Sequence, residues 1–396
     1  MTVNNNTPDI RFSGFGGDWV EKKLVDEVDF FSGLTYSPSN VKNKAGTLVL
    51  RSSNVQGGEI TLNDNVYVSS EVVNSKNVQV GDVIVVVRNG SRHLIGKHAM
   101  IKSHMNDTVI GAFMTGITSK QPSFLNSLLD TQEFANEVSK NLGATINQIT
   151  AGMFKNMEFY IPDNHEQTTI GNFFQHIDET IALSRSKHKK TKTLKNAFLS
   201  KMFPQAGKNQ PEIRLKGFSG NWVEKKLEEI LLIRNAFVDS DNYIVDIELE
   251  NIESQTGMIT GDTSVRTQAS SYFAIGDVLF GRLRPYLKKW WLADVEGVKS
   301  GEIWAFYSND LKSEFIYSIV QTNAFMNATN VSSGSKMPRA DWSSMSQTTM
   351  RLPISKEEQA AIGIFFKQLE DTLALQAKQL KALENLKKAL LAKMFV

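Results

Sequence analysis

With 396 residues, 41% apolar and 22% charged, the chain has ordinary globular composition and is long enough for two or more domains with their own cores. A net charge of +2 announces no global affinity for nucleic acid, so any basic surface must be local. The absence of cysteine excludes disulfides, thiolate metal sites and a cysteine nucleophile. The opening MTVNNNTPDIRF lacks the basic-then-apolar order of a signal peptide, and the longest aliphatic run, Val83–Val87, is too short to cross a membrane. A soluble, cytoplasmic protein with no membrane contact is expected.

In chain order, residues 8–24, PDIRFSGFGGDWVEKKL, form a lead-in that returns at 211–227 as PEIRLKGFSGNWVEKKL, with 12 of 17 positions identical, so the chain is written twice. The first interior predicts strands near 47–51, 58–62, 83–88, 109–115 and 158–161, with a helix over about 123–140. The second predicts strands near 243–250, 277–283, 289–293 and 301–307, with a helix over about 311–327. Val80-Gly81-Asp82-Val83 is echoed by Ile275-Gly276-Asp277-Val278, and Gly143 and Pro162 by Gly334 and Pro353. A repeat of this length is a duplicated domain plus helix rather than a solenoid. The expected organisation is a mostly-β domain over 1–160 (lead-in 8–28), a spacer helix over 161–204, a linker over 205–210, a second domain over 211–353 (lead-in 211–231) and a second spacer helix over 354–396.

Each interior closes into a long helix. Glu166–Phe203 matches Glu358–Phe395 at 17 of 38 positions, and both end on AxLxKMF, too close a match for two unrelated helices. Ser355-Lys356-Glu357-Glu358 reads as a capping box, and Asn164-His165-Glu166-Gln167 as its amide version. In the second helix a heptad runs through Ile362, Phe366, Leu369, Leu373, Leu380, Leu383, Leu390 and Met394, broken only by Gln376 and Lys387. In the first, Ile170, Phe174, Ile177, Ile181, Phe198 and Met202 keep the pattern while Ser184, His188, Thr191 and Lys195 depart from it. The fold class expected is α+β: two pseudo-symmetric, mostly-β domains joined by two long helices packed as an antiparallel coiled coil.

Catalytic signatures are scarce. Pro8-Asp9 with Glu21-Lys22-Lys23, and Pro211-Glu212 with Glu224-Lys225-Lys226, have the order of a PD-(D/E)xK nuclease. The Gly-rich segment between them reads as a turn, with Trp19 and Trp222 buried and the EKK solvated. There is no Walker-type phosphate loop and no Pro-Pro pair, and His93, His98 and His104 fit no metal spacing. The chain reads as a binder, with a protein-interaction scaffold as the rival to a DNA reader.

Basic residues cluster where strands turn. In the first interior these are Arg51, Arg88, Asn89, Arg92, His93 and Lys97, followed by Thr145, Asn147 and Gln148. At the equivalent places of the second stand Arg282, Arg284, Tyr286, Lys288 and Lys289, then Ser335, Lys336 and Arg339. Arg, Asn and Gln make bidentate contacts to purine edges, and Lys and Ser suit phosphate. A basic run on the first helix, Arg185, Lys187, Lys189, Lys190, Lys192 and Lys195, is a solvated face or a contact for DNA backbone or an acidic partner.

The doubled lead-in, each GDV strand, the IP/LP-x-x-x-EQ helix entries and the helices ending in LKxAxLxKMF resemble the DNA-specificity subunits of type I restriction–modification enzymes, over essentially residues 8–396. The resemblance implies that the interiors are target-recognition domains for a split site in double-stranded DNA, and that the helices set their separation. It implies no catalytic residue and no cofactor in this chain. It implies docking of two methyltransferase subunits that modify adenine N6 with S-adenosylmethionine, and a complex that can add two restriction subunits using ATP and Mg²⁺.

Overall fold

The computed structural model describes residues 6–43, 45–142, 147–239, 242–264, 271–329 and 337–396. The chain divides into two compact units, one of residues 1–183 with 381–396, the other of residues 184–380. The division therefore falls inside both long helices, Asn164–Lys201 and Lys356–Met394, not at the ends suggested by the repeat.

Unit 1 is built on an antiparallel sheet in the order Val28–Ser32, Met114–Ser119, Val83–Val86, His98–Met100. The Val83–Val86 strand is buried on both faces, which explains its unbroken β-branched run. Because side chains alternate along a strand, Val83 and Val85 enter a core shared with the helices, while Ile84 and Val86 enter a second core. That second core lies against a sheet ordered Thr108–Ile110, Thr47–Leu50, Val66–Val68, Val41–Lys42. The Gly of the GDV motif sits at φ 92, and Asp82 accepts from the Gln79 N–H at 2.8 Å, closing the turn that launches the strand.

Unit 2 repeats the plan. Leu232–Ile233, Ile303–Tyr307, Val278–Gly281 and Trp290–Leu292 form its antiparallel sheet, with Val278 and Phe280 facing the helical core and Leu279 the other. Its smaller sheet differs among the described residues. In unit 1 the later strand of a parallel pair, Thr108–Ile110, is at the edge and Thr47–Leu50 is central. In unit 2 the later strand, Gly297–Lys299, is central, because Ser271–Phe273 pairs with it and not with Asp246–Ile247.

Several sequence expectations need correction. Each predicted interior helix is two: Pro122–Leu129 with Gln132–Asn141, and Ser313–Ile319 with Asn323–Thr329. The breaks fall at Thr131 and Thr322, whose hydroxyls accept from the N–H of Phe134 and Phe325, both at 3.2 Å, and start a new helix. The stretch 109–115 straddles two strands. In the lead-ins Trp19 and Trp222 are buried, but the following residues are strands: Val20–Lys23 pairs antiparallel with Glu158–Ile161, and Val223–Lys226 with Thr349–Leu352. The first long helix is capped one residue earlier than expected, by Asp163, which accepts from the His165 and Glu166 N–H groups at 2.8 and 3.0 Å. Ser355 caps the second, accepting from the Glu358 N–H at 3.2 Å, but the return bond of the predicted box is replaced by the Glu358 carboxylate binding Arg214.

The most repeated residues tie lead-in to helix. Arg11 grips Glu166 through two bonds of 2.6 and 2.7 Å, and Arg214 grips Glu358 through two of 2.7 Å, both glutamates being fully buried. Each arginine also donates to two turn carbonyls of its own lead-in, Gly16 and Gly17 or Ser219 and Gly220. Gly171 and Gly363 let the interior helix approach: an added Cβ would lie 2.5 Å from the Phe124 nitrogen and 2.7 Å from that of Phe315.

In each unit the two long helices run antiparallel. In unit 1 Phe174 meets Phe395 and Asp178 meets Lys387; in unit 2 Thr191 meets Gln376, Lys195 meets Glu370 and Phe198 meets Phe365. Every heptad residue named above is buried or half-buried: Ile170, Phe174, Ile177, Ile181, Leu383, Leu390 and Met394 in unit 1, Phe198, Met202, Ile362, Phe366, Leu369, Leu373 and Leu380 in unit 2. The helix ends go deeper than a seam. Phe395 lies 5.5–6.0 Å from the rings of Trp19, Phe124 and Phe174. Phe203 lies 5.8–6.2 Å from those of Trp222, Phe315 and Phe366. Beside these plugs the Ile10 N–H donates to the Lys393 carbonyl at 2.8 Å and the Ile213 N–H to the Lys201 carbonyl at 3.0 Å.

Among the polar interruptions of the heptads, Thr191 meets Gln376, and the two lysines meet acids outside the heptad. Lys195 bonds Glu370, both buried, and at the position 192 residues on Lys387 reaches Asp178 and Asp130, each at 2.5 Å. Burial lowers the Lys195 pKa and raises that of Glu370, in each case outweighing the attraction of the partner. Lys387 is the reverse: burial lowers its pKa, but two carboxylates raise it further.

Two outcomes follow from this packing. Phe395→Ala should cost about 3–5 kcal/mol, and hydrogen exchange should show the loss of protection around Trp19 and Phe124, with the Trp222–Phe315 region unchanged. Glu370→Ala, which strands Lys195, should cost about 3–5 kcal/mol, whereas the double replacement Lys195→Met with Glu370→Met should be neutral or stabilising. Urea midpoints of the two variants decide this; a double variant as unstable as the single one would contradict it.

Candidate nucleic-acid interface

Three stretches of chain meet at one end of the main sheet in each unit. In unit 1 the Val87 and Arg88 N–H groups both donate to the Phe113 carbonyl, at 3.0 and 3.2 Å. Arg88 bridges Gln148, and Asn89 N–H donates to the Asn147 carbonyl at 3.3 Å. In unit 2 Arg282 N–H donates to the Glu302 carbonyl at 2.8 Å, Leu283 bridges Arg339, and Arg284 N–H donates to the Pro338 carbonyl at 2.7 Å. The two basic stretches of each interior, separate in sequence, are thus hydrogen-bonded neighbours. Thr145, Ser335 and Lys336 lie outside the described residues.

At the unit 1 tip, the exposed Arg88 guanidinium lies 5.0 Å from the centre of the Phe113 ring, which is itself 53% exposed. Asn89 spends its amide on the loop: Nδ2 donates to Ser52 Oγ at 3.0 Å and Oδ1 accepts from Ser91 N–H at 2.9 Å. Asn147 Nδ2 donates to the Gly90 carbonyl at 3.1 Å, and Gln148 is half-buried. Arg51 is paired with Asp64 at 2.8 Å and, with Asn89 and Phe113, lines a groove of about 760 Å³. Arg92, His93 and Lys97 are exposed but line a different depression, against the helix Gln132–Asn141. The first set of candidates therefore falls into two groups.

At the unit 2 tip, Arg284 and Lys288 bracket a short turn, Pro285–Leu287, at φ of 49 and 54. A left-handed backbone at two such bulky residues costs about 1–3 kcal/mol each, a strain that residues outside functional sites seldom keep. The Arg284 side chain is exposed and makes no hydrogen bond or ion pair with another described residue, and Tyr286 is exposed beside it. Arg282 is half-buried, 5.5 Å from the Trp304 ring. Lys289 turns inward, its Nζ donating to the Leu249 carbonyl at 2.7 Å. Arg339 meets both carboxylate oxygens of Glu302, at 2.8–3.1 Å.

Sequence reasoning passed over Phe113 and Glu302, because it searched for basic and amide side chains. They precede equivalent strands, Met114–Ser119 and Ile303–Tyr307, so aligning those strands would have found them. The nuclease-like acids are engaged elsewhere. Asp9 lies 3.8 Å from Lys393, and Glu224 accepts from Thr349 and Arg351 across the lead-in ribbon. Among the described residues no group of three or more His, Asp or Glu side chains could share a metal ion.

A family model described as the type I restriction modification DNA specificity domain matches residues 16–193 and again 220–385. A type I restriction enzyme specificity subunit, EcoDI, from Escherichia coli is 27% identical over 192 residues, a match spanning 46% of this chain and 43% of that protein. The crystal structure of a type I restriction-modification system S subunit from M. genitalium is similar over 98% of this chain and 99% of that one, with a TM-score of 0.70. Its sequence identity is 13%, so that likeness is one of fold.

Arg284 and Lys289 should separate cleanly in solution. Arg284→Ala should weaken duplex DNA binding and make its logarithmic salt slope shallower by about 1 if a phosphate contact is lost. Lys289→Met should leave both affinity and slope unchanged and lower the melting temperature. Equal losses of affinity in the two variants would mean that Lys289 leaves its carbonyl to meet DNA.

Proposed function

The chain belongs to the family of type I restriction–modification DNA specificity domains, a family of specificity subunits and not of catalytic ones, and on that premise we propose that it reads a split, asymmetric target. Each unit reads one part. The observation that carries this is the doubled three-stranded tip, built by the same backbone contacts in both units but furnished with different side chains. Equivalent scaffolds with unlike surfaces suit two unlike sequence elements, and Arg88 with Gln148, and Arg284 with Arg339, have the chemistry of base-edge contacts.

Chemistry on the DNA is then left to partners. We infer docking of two adenine-N6 methyltransferase subunits, which bring S-adenosylmethionine, and of restriction subunits with ATP and Mg²⁺ where the system cleaves. The long helices support this. They keep two leucines exposed in each repeat, Leu183 and Leu194 in the first and Leu375 and Leu386 in the second, at matching positions. Each unit carries two of these four, so each offers a partner an equivalent pair of exposed leucines.

Methylation mapping tests the reading. Exchange of residues 29–155 for the corresponding interior of another specificity subunit should change one element of the methylated sequence and leave the other, read by 232–345, as it was. One extra helical turn near Thr191 should keep both elements and widen the gap by about one or two base pairs, from roughly 5.4 Å per turn against roughly 3.4 Å per base pair. A swap that alters both elements would overturn the proposal. So would DNA cleavage or methylation by the purified chain alone.

A further inference from the structure

The tip of unit 2 holds a carboxylate where unit 1 holds a ring. Glu302 and Phe113 precede equivalent strands, and each offers its carbonyl to the chain leaving the neighbouring strand. Glu302 is about one-third exposed and Arg339 nearly half, and the two are joined side-on through the arginine Nε and Nη2. An ion pair that open to solvent adds little to stability, so stability does not account for its fixed geometry.

The stretch that bonds to the Glu302 backbone is cationic. Arg282, Arg284 and Lys288 lie on the neighbouring stretch, and Glu302 is the acid held among them by Arg339. A carboxylate brought to DNA is repelled by phosphate, so at a docking surface it needs a donor on the DNA. In the major groove those donors are the exocyclic amines of cytosine and adenine. Arginine only donates, and matches guanine O6 and N7; an ionised glutamate only accepts, and matches cytosine N4. A guanidinium and a carboxylate joined side-on therefore offer the donors and acceptors that complement a single C·G pair.

We propose that Arg339 and Glu302 act as one two-headed reader of a C·G base pair in the part of the target recognised by unit 2. The carboxylate takes the cytosine amine and also holds the plane of the arginine that takes guanine. Unit 1 has Arg88, Phe113 and Gln148 at the equivalent places, with Phe113 standing where unit 2 has Glu302. The inference rests on the DNA-reading role proposed above.

The test uses the full chain in complex with its methyltransferase subunits, acting on a pool of DNA duplexes randomised across the target, with methylated adenines read by sequencing. Glu302→Gln should reduce the preference for one C·G pair by about tenfold or more, leaving the other part of the target intact. Glu302→Asp, which keeps the charge but withdraws the carboxylate, and Arg339→Ala should relax the same pair. Phe113→Ala should affect only the other part. An unchanged target in the Glu302 variants, or relaxation at an A·T pair, would overturn the inference. A wild-type complex that methylates without sequence preference would instead overturn the DNA-reading role itself.

Discussion

The structure depends on two phenylalanines that complete cores they do not begin in. Phe395, at the end of the second long helix, fills the aromatic socket of Trp19, Phe124 and Phe174; Phe203, at the end of the first, fills that of Trp222, Phe315 and Phe366. Without its plug each socket would leave several large rings facing a void, and voids of that kind are among the most destabilising defects a core can carry. The tight helix approach over Gly171 and Gly363, and the arginine–glutamate grip on each lead-in, keep the sockets in shape around the plugs. A reading surface is only as fixed as the sheet beneath it, and that sheet packs on this aromatic cluster.

This explains why the repeat is legible where it is. The motifs that survive in both halves, the Arg of the lead-in, the Glu-Gln and Ile-Gly of the helix start, the GDV turn and the terminal KMF, are all spent on scaffold. None of them is at the tips. At the tips the halves differ: Phe113 against Glu302, Gln148 against Arg339, and a parallel strand pair extended on opposite sides. The residues the halves share and those in which they differ thus fall on separate parts of the fold.

The same separation sets how far the sequence could be read. Element type and order were visible, because the buried strands are β-branched and the long helices keep a heptad. The helix breaks at Thr131 and Thr322 were not, since apolar spacing runs on across a cap, although Thr-x-x-Phe stands at both places. The polar heptad positions looked like defects in a seam, and proved to be bonded across it, Thr191 to Gln376, Lys195 to Glu370 and Lys387 to Asp178. For the tips, composition picked out loops that the fold brings together, but not what each side chain does there. Asn89 and Lys289 have the chemistry of DNA contacts and use it on the protein, while Glu302 carries the sign that a search for basic residues passes over.

The two junctions beside the plugs are chemically the same. Ile213 is bonded to Lys201 where residues 204–211 carry the chain across; Ile10 is bonded to Lys393 in the same way with no peptide joining them. Each unit thus closes its own socket with the same backbone bond. A gene rearranged to join residue 395 to residue 9 through a spacer like PQAGKNQP, and opened between 204 and 211, would encode a chain with both sockets and both plugs intact. In such a chain the order of the two units would be reversed while the contacts within each are kept.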